Sequence, residues 1–334
     1  MTSIDDVARL AGVSTATVSR ALNGRGKVSA DARERVREAA SALGYVASAS
    51  ASGLASGRTR NVGVLVPFVD GWFFGAVLAG VTETLARHGY DVTLYAVTRD
   101  AATRRALFQT FLRRQRVDAV LAISLALRPD EVEAVQGLGI PAVAIGGPQA
   151  LPSLAVDEDA VARLAAAHLI GLGHRDIAHI GVDAAVDVDF RVAARRHAGF
   201  ESALQDAGIP LPPERIAHGD FTVAGGYRAA VRLLSAAPVT AIFAASDEMA
   251  IGALQACREA GRAVPDDVSI IGVDGHELAA FFDLTTIDQF PVAQGRAAAD
   301  AILRALDEDA AVPPAPGALP FELVRRRSTA APPR

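Results

Sequence analysis

Ile4-Asp5-Asp6-Val7-Ala8-Arg9-Leu10-Ala11-Gly12-Val13-Ser14-Thr15-Ala16-Thr17-Val18-Ser19-Arg20-Ala21-Leu22 stands near the start of a 334-residue chain. Ile4, Val7, Ala8 and Ala11 fall at i, i+3, i+4 and i+7, the apolar stripe of a helix. Ser3 with Asp6 gives that helix a capping-box start, and Gly12 supplies the positive φ that ends it sharply. Ser14 is placed to cap a second helix over Thr15–Leu22, with Val18 and Leu22 turned inward. Past the Asn23-Gly24-Arg25-Gly26 loop, Ser29 is placed to cap a third helix. That helix carries Val36, Ala39, Ala40 and Leu43 inward and stops at Gly44. Two short helices joined by a tight glycine turn and closed by a third describe a helix-turn-helix unit. A generic three-helix bundle with a solvated Arg20 also fits the spacing.

The second helix begins with small polar residues, which let the backbone approach base edges, and its N-terminus favours phosphate. Arg20 has the reach for a bidentate pair with guanine. Charge points the same way. Residues 1–60 hold eight arginines and Lys27 against five acidic residues, a balance of +4. The whole chain carries −5, so the remainder carries −9. A basic head on an acidic body predicts a polyanion partner for the head alone.

Other classes are excluded by what the chain lacks. Half of it is hydrophobic (51%), enough for a large core, yet no apolar run reaches the length of a membrane span. The first residues, Met1-Thr2-Ser3-Ile4-Asp5-Asp6, are not a signal peptide, and Cys257 is the only cysteine, so a cytoplasmic protein without disulfides is expected. Lys27 is the only lysine; counting back from it for a P-loop puts Ala21 where a glycine is needed. Gly-x-Gly-x-x-Gly follows no strand, and neither a Gly-x-Ser-x-Gly elbow nor a Ser-His-Asp set is present. His174 and His179 lie five apart across a loop and a strand, poor geometry for a shared metal. The chain therefore reads as a non-enzyme with no cofactor and no metal.

Residues 47–57, Ala-Ser-Ala-Ser-Ala-Ser-Gly-Leu-Ala-Ser-Gly, have the composition of a flexible linker. Leu54 is the one large apolar residue between Ala47 and Arg60. From Asn61 onward strand-like runs at 62–66, 92–95, 119–123, 142–145, 177–180, 241–244 and 268–271 alternate with helical stretches. Such β-α-β alternation predicts parallel sheets covered by helices on both faces, with ligands outside the carboxyl ends of the strands.

Residues 4–14 and 17–24, with Val28-Ser29 and Leu43-Gly44-Tyr45, resemble the DNA-binding head of the lactose repressor/galactose repressor (LacI–GalR) family. The resemblance continues through Gly171-Leu172-Gly173-His174-Arg175-Asp176, Arg196-His197-Ala198-Gly199-Phe200 and Gly219-Asp220-Phe221-Thr222. It runs on through Ala245-Ser246-Asp247-Glu248-Met249 and the stretch 264–274, and so covers the whole chain. It implies a three-helix head over 1–46, a hinge over 47–60, and a two-lobed α/β body over 61–334 shaped like a periplasmic binding protein, with parallel sheets. The implied lobes are about 61–157 plus 290–319, and 158–289 plus 320–334. It also implies sequence-specific repression controlled by a small molecule in the cleft, with a sugar as effector; the alternatives are a nucleobase or other metabolite as effector, or a solute-binding module without DNA function.

The resemblance assigns roles to positions. Thr15 and Ala16 stand where the family varies its base-reading residues, and Arg20 where it reads guanine. Thr17, Ser19 and Asn23 match phosphate contacts, which set register. Leu54 matches a residue that wedges into the minor groove from a hinge helix. Here Ser48, Ser52 and Gly53 depart from the family, and a glycine inside a helix costs about 1 kcal/mol relative to alanine. Phe73, Arg196, Phe221 and Asp274 match effector contacts, and Ser246 and Asp247 lie in the next commonest contact stretch. Asp70 and Trp72, beside Phe73-Phe74, are added because an aromatic plane stacks on a sugar and a carboxylate accepts its hydroxyls. Gly146 and Gly147 replace an Asp-Arg pair the family often carries. No leucine-heptad tail follows Arg327-Ser328-Thr329-Ala330, so a homodimer on a near-palindromic operator is expected, with no membrane partner.

Overall fold

Ser3 accepts from the Asp6 amide and the Asp6 carboxylate accepts from the Ser3 amide, so the first helix, α1 (Ile4–Ala11), starts on a closed capping box. Gly12 ends it at φ 65°. Ser14 accepts from the Thr17 amide at 3.2 Å ahead of α2 (Thr15–Leu22). Ser29 accepts from Ala32 ahead of α3 (Ala30–Ala42). Val7, Ala8, Ala11, Val18, Ala21, Val36, Ala39 and Ala40 form the core of this head. Leu22 and Leu43 are only partly buried against that core, and Ala21 fills the position expected of Leu22. The computed structural model describes residues 2–22, 27–45, 58–67, 69–98, 100–114, 116–146, 151–183, 191–236, 238–307 and 317–333. Asn23, Gly147 and the hinge with Gly53 and Leu54 lie outside them.

The body is a separate unit with two sheets. The first contains β1 (Asn61–Val66), β2 (Asp91–Ala96), β3 (Ala119–Ile123), β4 (Ala142–Ile145) and β5 (Ser153–Leu154), in the order β2-β1-β3-β4-β5. The second contains β6 (Ile177–Gly181), β7 (Ile216–His218), β8 (Ala241–Ala244), β9 (Ser269–Asp274), β10 (Thr285–Asp288) and β11 (Glu322–Val324). Its order is β11-β10-β9-β8-β6-β7. β3 pairs in parallel with β1 and β4, β4 with β5, β6 with β7 and β8, and β9 with β8 and β10, while β10 and β11 are antiparallel, so the sheets are mostly rather than wholly parallel. Strands β3, β6 and β9 are buried along their whole length, as expected of sheets covered on both faces.

Helices α4 (Trp72–Arg87), α5 (Ala101–Ala106) and α6 (Pro129–Gln136) follow β1, β2 and β3. In the second lobe α7 (Glu158–Gly171) and α8 (Val192–Asp206) pack beside each other. Helices α9 (Val223–Ala236) and α10 (Asp247–Glu259) follow β7 and β8, and the short α11 (Leu278–Phe281) follows β9. Helix α12 (Pro291–Leu306) returns to the first lobe, where Ala298, Ala299 and Ile302 join Val62, Val64, Val77 and Val81 in one core. Gly80 and Gly295 make that return possible. A Cβ on either would collide with the backbone of the facing helix. The lobe cores are thus built from chain segments far apart in sequence, and the strands of both end at a shared cleft.

Candidate functional site

On the head, Thr15, Ala16 and Arg20 are exposed, while Thr17 and Ser19 are half-buried. Arg20 Nε donates to the Ala16 carbonyl at 3.1 Å, and no ion pair holds its guanidinium among the described residues. Ser14 Oγ lies 2.9 Å from Thr17 Oγ1, which fixes the first turn. Helix α2 carries no acidic residue. Its face therefore offers an unopposed cation and small polar groups to a duplex.

In the body a cavity of about 250 Å³ opens where the strands end. The first lobe contributes Asp70, Phe73 and Phe74 after β1 and Ser124 after β3. The second contributes Glu158 on α7, Val192 and Arg196 on α8, Asp220, Phe221 and Thr222 after β7, Ser246 and Glu248 after β8, and Asp274 at the end of β9. Ser124, Asp220, Phe221 and Asp274 hold left-handed backbone, with φ of 47°, 48°, 59° and 125°. Strain of this kind, costing about 1–3 kcal/mol per residue, gathers where a fold aims side chains at a ligand.

Arg196 organises the floor. It is 3% exposed and reaches Glu158 Oε2 (2.7 Å), the Ala245 carbonyl (2.5 Å) and Asp274 Oδ1 (3.4 Å). Gln289 Nε2 also donates to Asp274 Oδ1 at 3.0 Å. Burial opposes the guanidinium charge, and Glu158 and Asp274 more than offset it, so Arg196 stays a cation. Burial pushes the Asp274 carboxyl well above the usual carboxylate range, against the pull of Arg196. Burial, then the charge of Asp70, also raises Glu248. Of the eight effector contacts expected from sequence, Asp70, Phe73, Arg196, Phe221, Ser246 and Asp274 line this one cavity.

Trp72 and Asp247 do not line it. Trp72 turns away and stacks on His276 of the other lobe, ring centroids 4.2 Å apart. Asp247 is fully buried; its Oδ2 accepts from the His276 amide (2.8 Å) and Thr286 Oγ1 (2.9 Å). It thereby holds the loop that carries His276, and Glu248 faces the cavity in its place. The physical reason is helical period: neighbours on a helix point about 100° apart, so Phe73 excludes Trp72 and Glu248 excludes Asp247. Sequence reasoning also missed Ser124, Asp220 and Thr222, whose signal is their place just after a strand. Glu158 and Val192 gave no local signal.

Burial pushes the Asp247 carboxyl up to about 6 from 3.8, opposed by its hydrogen bonds from Thr286 and His276. Between those two pH values the folded chain holds a proton that the unfolded chain has released, so stability falls as pH rises. The full difference is about 3 kcal/mol and is reached above pH 6. Asp247→Asn keeps the acceptor and removes the titration. Urea unfolding across that window is expected to lose about 3 kcal/mol less in the variant than in the wild type. An unaltered pH profile would show that Asp247 does not titrate there.

A head with an open, cationic recognition helix, joined to a two-lobed body with a strand-end cavity, defines a DNA-binding regulator with a small-molecule site. Residues 3–48 match the family described as bacterial regulatory proteins, lacI family, and residues 166–329 match a periplasmic binding protein-like domain. The transcriptional repressor PurR of Glaesserella parasuis is 32% identical over 339 residues, covering 98% of both chains. A solved complex of the transcriptional regulator CelR with cellobiose is 31% identical, covering 98% of this chain and 100% of that one, with a TM-score of 0.71. The lac repressor dimer bound to operator and the anti-inducer ONPF is 28% identical, covering 99% of each chain, with a TM-score of 0.85. The chain belongs to the LacI family of transcriptional repressors, with a DNA-binding head and an effector-binding body. Among the described residues no helix is long and apolar enough to cross a membrane, and no cluster of three or more His, Cys, Asp or Glu could hold a metal.

Proposed function

We propose that this repressor is a homodimer that reads a near-palindromic operator and answers to a sugar. Thr15, Ala16 and Arg20 read bases; Thr17, Ser19 and Asn23 grip phosphates; the Leu54 pair wedges the centre. Asp70, Phe73, Arg196, Phe221, Ser246 and Asp274 hold the effector. The observation that carries this reading is the cavity itself. It sets three phenyl rings against five carboxylates and three hydroxyl side chains, the partners of a sugar's C–H faces and hydroxyl groups. The cellobiose held by CelR supports the same ligand class. Closing the lobes on a ligand requires unequal affinity for two arrangements of the body, typically worth 1–3 kcal/mol of coupling to the operator site.

Trp72 is the only tryptophan and bridges the lobes through His276, so its emission reports lobe movement. Titrating the full chain on an operator selected from random duplexes, with neutral sugars, sugar phosphates and nucleosides, tests the proposal. A saturable change with a sugar, at the concentration that alters operator affinity, is expected. A response to nucleosides alone would replace the sugar; failure to enrich any palindrome would overturn the dimeric operator.

A further inference from the structure

We infer that the effector carries a protonated amine, an amino sugar in the first instance, whose ammonium lies between Asp70 and Glu248 while a hydroxyl meets Ser124. This rests on the cavity being the effector site. The charges in the cavity do not balance. Its lining holds five carboxylates and one cation, and Arg196 is already engaged by Glu158 and Asp274. Asp220 accepts from Thr222 (2.7 Å) and Arg228 (3.3 Å). Asp70 and Glu248 remain, one from each lobe, with no hydrogen bond or ion pair to either among the described residues. The repulsion between them raises the Glu248 carboxyl, next after burial. It also opposes the approach of the two lobes, and a cation between the two carboxylates would reverse that sign.

Among the described residues no lysine or arginine other than Arg196 lines the cavity. Arg191 and Arg195, next to the lining residues in sequence, are exposed and outside it. Phe73, Phe74 and Phe221 line the same cavity and give it aromatic surface, which attracts an ammonium. A second observation points to a ligand independently. Ser124 is 8% exposed, lines the cavity from left-handed backbone, and its hydroxyl has no partner among the described residues. A hydroxyl held in strained backbone, open to the cavity and without a protein partner, is an interaction that a ligand completes.

The test is calorimetric titration of the full chain with hexoses and pentoses and their amino, N-acetylamino and phosphate derivatives, with spermidine and calcium chloride as cations without a sugar. Amino sugars are expected to bind about tenfold or more tighter than their N-acetyl counterparts. Asp70→Asn and Glu248→Gln, both at unpartnered positions, should each weaken the amine about tenfold without lowering the melting temperature. Equal affinity for amine and N-acetyl forms, or preference for a phosphate, would overturn the inference and leave the sugar reading intact. Binding of spermidine without any sugar would keep the charge and overturn the sugar. Binding of calcium alone, or of nothing in the set, would overturn both.

Discussion

Arg196→Met is expected to destabilise the body by about 3–5 kcal/mol at pH 8 and to abolish the effector response. The guanidinium is 3% exposed and anchors two carboxylates and the Ala245 carbonyl. Methionine fills much of the volume and supplies no donor, so Glu158 and Asp274 are left uncompensated in a buried site. The loss should depend on pH. Burial already holds Asp274 well above its usual range against the pull of Arg196, and without that pull its carboxyl rises further. A carboxyl raised in the folded state keeps its proton there longer than in the unfolded chain, so it favours folding at low pH and ceases to as pH rises. The variant's deficit should therefore be smaller at pH 5 than at pH 8. Urea unfolding at both values measures it, and a deficit under about 1 kcal/mol at pH 8 would place Arg196 among solvated surface pairs.

That same residue separates what the sequence announces from what it conceals. The head was legible because each helix has a local cause: Ser3 with Asp6, Ser14 and Ser29 as caps, and Gly12 at φ 65° as a stop. Strands β1, β3, β4, β6, β8 and β9 were legible because burial on both faces writes them as continuous apolar runs. Strands β5, β7 and β11 have two or three residues, and β10 carries Thr285 and Thr286 where an apolar run is expected. Position after a strand pointed to Asp70, and the family resemblance pointed to Phe73 and Asp274; all three line the cavity. Direction on a helix could not be read so finely, which is why Asp247 stands where Glu248 belongs. The partners of Arg196 were concealed for a different reason: Glu158 and Asp274 are distant in sequence and only the fold brings them to it.

The clearest case of a concealed partner yields the second large effect. Arg104 on α5 and Glu131 on α6 look like surface charges on two short polar helices. They are 1% and 4% exposed, with Nε to Oε1 at 2.5 Å and Nη2 to Oε2 at 2.8 Å, a two-pronged pair inside the first lobe. Glu131 Oε2 also accepts from the Arg128 amide at 2.8 Å, so the pair ties the start of α6 to α5. Arg104→Met is expected to cost about 3–5 kcal/mol, because Glu131 keeps its charge and a single backbone donor. Arg104→Lys should recover only part of this, since an ammonium cannot repeat the two-pronged geometry. Adding Glu131→Leu to Arg104→Met removes the stranded charge, and the double variant should regain most of the loss. If the double variant is as unstable as the sum of the singles, the two side chains are not coupled and the pair does not hold the lobe together.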